Sequence, residues 1–247
     1  MEFVVMRLRE KGFLPLQPFD RDEMYEKERL STIKSIALEA GADLIGVADL
    51  RRLSAIATYP RDLLSAYRSG ISIAVNFDQF GDYDSSSEDV HAFPLLINIA
   101  KEVQSFLVGE DFRARVIVPD KRAGRIGQLR IRGEISHKAV AMAAGLGWMG
   151  KSMLLVTREF GPRVSLITLL TDMPLPAGKS IKNGCGSCVK CVGACPIGAI
   201  SGTSFSPNTN EDVGALDILH CNKHVIETWR SGKLCYGCML ACPKGKR

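Results

Sequence analysis

The first 184 residues of this 247-residue chain contain no cysteine, although the chain as a whole has eight. All eight lie between Cys185 and Cys242. Structural disulfides are rare in reducing compartments, whereas cysteines crowded at short, regular spacing are typical of metal ligation. The distribution therefore predicts a metal-binding module at the C-terminal side of a cysteine-free domain.

The sequence also lacks a long apolar run, an export signal and a dense basic stretch. No apolar run reaches the roughly 18 residues that a membrane helix needs, and the N-terminus MEFVVMRLREKGF shows neither a signal-peptide pattern nor a twin-arginine pair. We therefore predict a cytoplasmic protein without a membrane segment. The formal net charge is +5, but two thiolate-bound iron–sulfur clusters would lower it to about +1. Nucleic acid is accordingly not expected as a partner.

Hydrophobic periodicity predicts helices and strands in alternation through the first two thirds of the chain. The predicted helices cover 22–40, 60–70, 92–107 and 134–144, and the predicted strands cover 43–50, 71–77, 112–120, 153–157 and 163–171. The Pro/Gly-rich stretch TDMPLPAGKS follows the last strand and is typical of a linker. The pattern predicts an α+β fold with one domain over 1–175 and a second over 176–247.

The cysteines form two related motifs. CGSCVKCVGACP (185–196) is the C-x2-C-x2-C-x3-C-P run of bacterial two-cluster ferredoxins, in which the fourth cysteine binds the other cluster. The second set is Cys221 followed by CYGCMLACP (235–243). This pattern predicts one [4Fe–4S] cluster on Cys185, Cys188, Cys191 and Cys242, and another on Cys195, Cys221, Cys235 and Cys238. Structural zinc is the alternative, but the three-plus-one spacing with a proline after each last cysteine favours iron–sulfur clusters.

The stretch GLGWMG (145–150) has the glycine spacing of a dinucleotide-binding loop. Such a loop follows a strand and opens a helix, whereas here a helical stretch precedes the glycines and a strand follows them. Two interpretations remain open. The glycines either end a helix in a tight turn, or line a loop that lets a large flat cofactor approach the backbone.

Two stretches of the chain, 137–175 and 185–200, resemble the corrinoid-dependent iron–sulfur reductases, which comprise epoxyqueuosine reductase and the reductive dehalogenases. Residues 33–50 and 72–77 resemble them more loosely. The resemblance implies a nitroreductase-like α/β sandwich domain that holds base-off cobalamin, followed by a two-cluster ferredoxin-like module that delivers electrons to cobalt. It also implies that the helical repeats of epoxyqueuosine reductase, which help to hold tRNA, are missing from this sequence.

The resemblance implies a corrin site at Gly145, Gly147, Trp148, Gly150, Lys151 and Ser152, with Arg163 as a further candidate. In place of the catalytic aspartate of epoxyqueuosine reductase, the sequence has IRGEIS, so Glu134 and His137 are the candidate proton donors. Each candidate has a simpler interpretation. Trp148 suits a core and Lys151 a surface, Arg163 suits an ion pair at a strand edge, and the two proton-donor candidates suit the start of a helix.

Three functional hypotheses follow. The first is an oxidoreductase that receives electrons from a reduced ferredoxin or flavodoxin and reduces an unknown small-molecule or protein substrate through cobalamin. The second is a non-catalytic electron-transfer protein that keeps a partner corrinoid protein reduced. The third is a reductase in which FMN takes the place of the corrin.

Overall fold

A four-stranded antiparallel sheet with helices on both faces lies at the centre of the computed structural model, which describes residues 21–80, 88–118, 133–204 and 215–245. Its strands are β1 (Leu44–Asp49), β2 (Ser69–Asn76), β3 (Ala114–Ile117) and β6 (Val164–Thr171). Within the sheet they lie in the order β1-β2-β6-β3. A separate hairpin pairs β4 (Gly147–Met149) with β5 (Leu155–Thr157). The mixed α/β character agrees with the sequence prediction.

One face of the sheet is covered by α1 (Arg21–Glu39) and α2 (Glu88–Gly109). Alternate residues of the central strand β2, from Ile71 to Val75, point into this layer because successive side chains of a strand face opposite sides. Apolar residues of α2 recur every three or four positions and face the sheet. They are fully buried, and comprise Leu96, Ile99, Ala100, Val103 and Leu107.

The short helix α3 (His137–Ala143) covers the opposite face. Small residues of the sheet allow this close packing. A Cβ at Gly46 would lie 2.9 Å from the carbonyl oxygen of Ala144, and one at Gly70 would lie 3.1 Å from a methyl of Val140. Ser136 caps the helix, since its hydroxyl accepts a hydrogen bond from the Ala139 amide.

The prediction placed several element boundaries differently. The helix predicted over 134–144 begins at His137, and the helix predicted over 60–70 is a single 3-10 turn at Leu63–Ala66. The strand predicted over 112–120 covers only Ala114–Ile117, and the strand predicted over 153–157 covers only Leu155–Thr157. Within GLGWMG, which was predicted as a turn or loop, the middle residues form β4.

Beyond β6 the chain has no regular element until α4 (Lys190–Gly193), which is followed by α5 (Ile218–Arg230) and α6 (Gly237–Leu240). The two single-turn helices α4 and α6 each begin within the cysteine motifs and pack against one another. A β-bridge between Ile200 and Leu216 joins the segments that lead away from α4 and into α5. Among the described residues, no helix combines the length and apolarity needed to cross a membrane.

Candidate metal centre and its contact with the sheet domain

Four cysteines line one pocket beside the β4–β5 hairpin. They are Cys185, Cys188, Cys191 and Cys242, and the pocket is completed by Gly150, Lys151, Ser152, Val156, Pro243 and Lys244. Three of the thiols come from the first motif, whereas Cys242 comes from the end of the second. All four are half-buried and none forms a disulfide. The fold therefore brings together thiols that are up to 57 residues apart in the chain.

The other four cysteines form a second group around α5 and α6. Burial raises the pKa of the Cys238 thiol to about 11, and the nearby Cys235, Cys221, Cys191 and Cys195 add to the effect. Burial also raises the pKa of Cys221, again with Cys235 and Cys195 among its neighbours. Within the described residues, no three His, Cys, Asp or Glu side chains are arranged to hold one metal ion.

The first cysteine of the pocket is fixed by two side chains of the sheet domain and linker. The indole N–H of Trp148 donates to the Cys185 sulfur across 3.4 Å. The Asn183 side chain accepts from the Cys185 amide at 2.9 Å and donates to the Met149 carbonyl at 3.1 Å. Trp148 is only 5% exposed, and its ring packs on Gly184. Trp148 thus connects β4 to the cysteine pocket, from within the core.

The last cysteine of the pocket is fixed through Arg163, which is 5% exposed. Its guanidinium donates to the Gly245 carbonyl at 2.7 Å, to the Lys244 carbonyl at 3.5 Å and to the Asp78 carboxylate at 3.1 Å. The side chain therefore forms the ion pair at the strand edge that was its simpler interpretation. It also joins the sheet domain to the segment that directly follows Cys242.

At two glycines of the loop that was predicted to line a corrin ring, the space where a Cβ would lie is occupied by other parts of the chain. A Cβ at Gly145 would lie 2.6 Å from the carbonyl oxygen of Lys179, and one at Gly147 would collide with the carbonyl oxygen of Val156. Gly145 has φ +80 and follows α3, as a helix-ending glycine does. Contacts within the chain thus account for both glycines, and the helix-end interpretation of Gly145 is the one that its geometry matches.

The end of the same loop faces the cysteines instead. Lys151 and Ser152 are 7% and 8% exposed and line the pocket together with Gly150. A buried lysine is unusual, because an ammonium group loses its hydration when it leaves water. The interpretation of Lys151 as an ordinary surface lysine is therefore wrong. Lys151 lines the pocket beside four cysteines.

The two candidate proton donors lie at and just before the start of α3. Both carboxylate oxygens of Glu134 accept hydrogen bonds from Nη2 of Arg115, at 2.9 and 3.0 Å. Glu134 precedes α3 and is part of an ion pair with a neighbouring strand.

His137 is the first residue of α3, and its Nδ1 lies 2.8 Å from the hydroxyl of Thr168. Burial lowers its pKa from 6.5 to about 4. The imidazole is therefore neutral near pH 7, and it has no imidazolium proton to give at that pH.

The lowered pKa of His137 predicts a loss of stability in weak acid. Between pH 6.5 and 4 the unfolded chain binds a proton at this imidazole and the folded chain does not, so the free energy of unfolding should fall by at most about 3 kcal/mol. We expect NMR titration to show the His137 imidazole neutral down to about pH 5. A midpoint near 6.5 would contradict the burial argument. His137→Gln should remove this part of the pH dependence.

Two residues of this centre were missed in the sequence. Asn183 precedes the first cysteine by two positions, where asparagine side chains commonly bind the backbone two residues on, so the Asx-turn pattern was available. Asp78 lies 85 residues from Arg163, and no local pattern could have paired them.

Comparison with known proteins places these features in context. No protein-family model matches the chain. Epoxyqueuosine reductase from Synechocystis is 28% identical over 255 residues, which cover 96% of this chain and 80% of the relative. Epoxyqueuosine reductase from Bacillus cereus is 36% identical over 126 residues, which cover 46% of this chain but only 30% of the relative.

Solved structures agree on the fold. An epoxyqueuosine reductase bound to an epoxyqueuosine-modified tRNA-Tyr stem loop aligns with a TM-score of 0.63 at 22% identity, over 91% of this chain and 66% of that one. A reductive dehalogenase, described with a mechanism for B12-dependent dehalogenation, aligns with a TM-score of 0.68 at 21% identity, over 87% of this chain and 32% of that one. Because one of these neighbours holds a tRNA stem loop, the prediction that nucleic acid is an unlikely partner is not supported.

Proposed function

We propose that this chain is an iron–sulfur oxidoreductase related to the epoxyqueuosine reductases and reductive dehalogenases, which it resembles in sequence and in fold. Its C-terminal module would carry electrons to the sheet domain, where a substrate is reduced. The cysteine pocket beside the β4–β5 hairpin is the observation that carries the proposal, since it lies where the two parts of the chain meet. Reduced ferredoxin or flavodoxin would supply the electrons.

The proposed ligands are two sets of four thiols. We assign the pocket cluster to Cys185, Cys188, Cys191 and Cys242, and the second cluster to Cys195, Cys221, Cys235 and Cys238. The pocket lining supports the first set, and the proximity of Cys221 to Cys235 and Cys195 supports the second. The chemistry of the donors also fits, because thiolates are the usual ligands of [4Fe–4S] clusters. A bound cluster would supply one-electron transfer.

A corrinoid is the second proposed cofactor, and it is supported by the family alone. At Gly145 and Gly147 the chain itself occupies the space where a Cβ would lie, so we place no corrin contact at these two glycines and derive no step through the group. Gly150, Lys151 and Ser152 remain candidates because they lie on the pocket side of the loop. FMN, the alternative cofactor, finds no support in the relatives described above.

RNA is the substrate class that the relatives favour, and a cleft at the end of β1 offers a place for phosphate contacts. Its lining includes Arg51, Arg52, Arg68, Asp49, Glu26 and Ser69. Arg51 holds Asp49 through two hydrogen bonds, at 2.9 and 2.8 Å. Arg68 is exposed, and Arg52 lies 3.8 Å from Asp49. These two arginines are the better placed to meet a phosphate.

Replacing Arg52 or Arg68 with glutamine should weaken the binding of an RNA stem loop. Each lost phosphate contact should lower the salt dependence of the affinity by about 1 in the log–log slope. Fluorescence anisotropy with a tRNA anticodon stem loop at several salt concentrations measures both effects. Lys101→Gln is the matched control, because Lys101 is exposed on α2 and lies outside the cleft. An equal loss of RNA affinity in the control variant would show that the cleft is not part of the RNA-binding site.

Metal and cofactor analysis of the full chain tests the proposed function. Anaerobically prepared protein should contain about eight irons per chain and the visible absorbance of iron–sulfur clusters. Titration with hydroxocobalamin should then give a stoichiometric base-off spectrum. About four irons per chain, or bound zinc in place of iron, would contradict the assignment of two clusters. Full cluster content without corrinoid binding would instead favour the non-catalytic electron-transfer role.

A further inference from the structure

The two cysteine sets lie in different electrostatic surroundings. Lys151 and Arg163, both from the sheet domain, bring two buried positive charges to the pocket set. Lys151 lines the pocket itself, and Arg163 binds the carbonyls of the two residues that come two and three positions after Cys242.

The second set has no such buried cation among the described residues. Asp217, the acidic residue beside this set, accepts a hydrogen bond from the Cys221 amide through its main-chain carbonyl at 2.9 Å, and it is exposed. The Asp217 carboxylate is itself held by the His220 amide at 3.0 Å. Lys233, two residues before Cys235, is exposed, so water screens its charge.

Other determinants of a cluster's potential are similar for the two sets. In the described part of the chain, each set receives an N–H···S hydrogen bond, from Trp148 to Cys185 at 3.4 Å and from Ala199 to Cys195 at 3.3 Å. All eight cysteines are half-buried. Cluster type, hydrogen bonds to sulfur, solvent exposure and charge set the reduction potential, and among these, charge is the one that differs most.

We propose that Lys151 and Arg163 are positioning residues that hold the reduction potential of the pocket cluster above that of the second cluster. This inference rests on the proposed function. Reduction adds one negative charge to a cluster, and a buried cation stabilises that charge more strongly than a cation in water does. Each electron taken from a one-electron donor, which is thereby oxidised, would reside preferentially at the pocket cluster, next to the sheet domain. The charge asymmetry thus gives the electron path a direction.

Substitution of Asp78 offers a second way to change the net charge around the Arg163 guanidinium. It is paired with Arg163 but 44% exposed, whereas the arginine side chain is 6% exposed. Removing the carboxylate leaves the buried guanidinium less compensated. Removing the guanidinium has the opposite electrostatic effect, although both changes break the same ion pair. Opposite shifts in potential would therefore separate an electrostatic role from a purely structural one.

Potentiometric titration of the full-length, reconstituted protein, followed by EPR, tests the inference. Cys221→Ser assigns the signals, because it removes the second cluster. We expect Lys151→Gln and Arg163→Gln each to lower the potential of the pocket cluster and leave the second cluster unchanged. Asp78→Asn should raise the potential of the pocket cluster, and Arg163→Lys should keep it near the wild-type value.

Lys190→Gln is the matched control, because Lys190 is adjacent to Cys191 in sequence but exposed. It should leave both potentials within error of wild type. Equal shifts of both clusters, a shift with the control as large as with Arg163→Gln, or the same direction of shift for Asp78→Asn and Arg163→Gln would overturn the inference. A wild-type chain that binds no clusters would fail the proposed function instead, so the two failures are distinguishable.

Discussion

In a Cys188→Ala/Cys242→Ala double variant, we expect about half of the iron to remain, because both residues are proposed to bind the same cluster. The two thiols line one pocket although they lie in different motifs. If each motif instead bound its own cluster, the double variant would damage both sites and lose nearly all of its iron. Iron and sulfide analysis, together with EPR of the dithionite-reduced protein, distinguishes the two outcomes.

The complementary double variant is Cys188→Ala/Cys195→Ala, whose two residues lie in the same motif, seven positions apart. Crossed ligation predicts that it loses both clusters, and uncrossed ligation predicts that it keeps one. The number of mutated thiols is the same in both variants, so general damage to the module cannot produce opposite results. Half occupancy in this second variant would rule out the proposed crossing.

The parts of the fold that the sequence predicted well are those with long, regular patterns. Residues Ser69–Asn76 and Val164–Thr171 form strands close to the predicted bounds, because eight apolar or small residues in a row suit a buried strand. The α2 stripe is equally clear. In contrast, the strand Gly147–Met149 has only three residues and lies between glycines, so it has no period to detect.

In the candidate site, too, the features that depend on local sequence were predicted and the long-range contacts were not. The spacing of the cysteines carries the information for the two proposed ligand sets, because it is local for all but Cys221 and Cys242. The contacts of Arg163 are not local, since its partners Asp78 and Gly245 lie 85 and 82 residues away. The chemistry of a buried arginine depends on what lies across from it, which only the folded chain determines.

The structure also changes which experiments are informative. A bulky residue at Gly147 would collide with the carbonyl oxygen of Val156 in the β4–β5 pair. Such a variant would disturb the hairpin whether or not a corrin binds nearby. Lys151→Gln alters the pocket side of the same loop and leaves that strand pair intact, so it is the better probe for a cofactor contact.

Replacing Gly161 with alanine should loosen the contact between the sheet domain and the segment that follows Cys242. Gly161 has φ +61, and a Cβ there would collide with the carbonyl oxygen of Lys244. The backbone conformation alone costs alanine about 1 kcal/mol or more, and the collision adds to that cost. We expect the pocket cluster to release iron to an anaerobic ferrous chelator several-fold faster than in wild type.

Gly232→Ala separates the collision from the backbone cost. Gly232 also has positive φ, at +78, but no atom lies within 4 Å of a Cβ placed there. Its alanine variant should show the backbone penalty in thermal unfolding, and its rate of iron release should stay close to that of wild type. Equal rates of iron release in the two variants would mean that the contact at Lys244 does not protect the cluster. Faster iron release in Gly161→Ala but not in Gly232→Ala would mean that the sheet domain shields the pocket cluster. The shielding would depend on a backbone contact that only glycine permits.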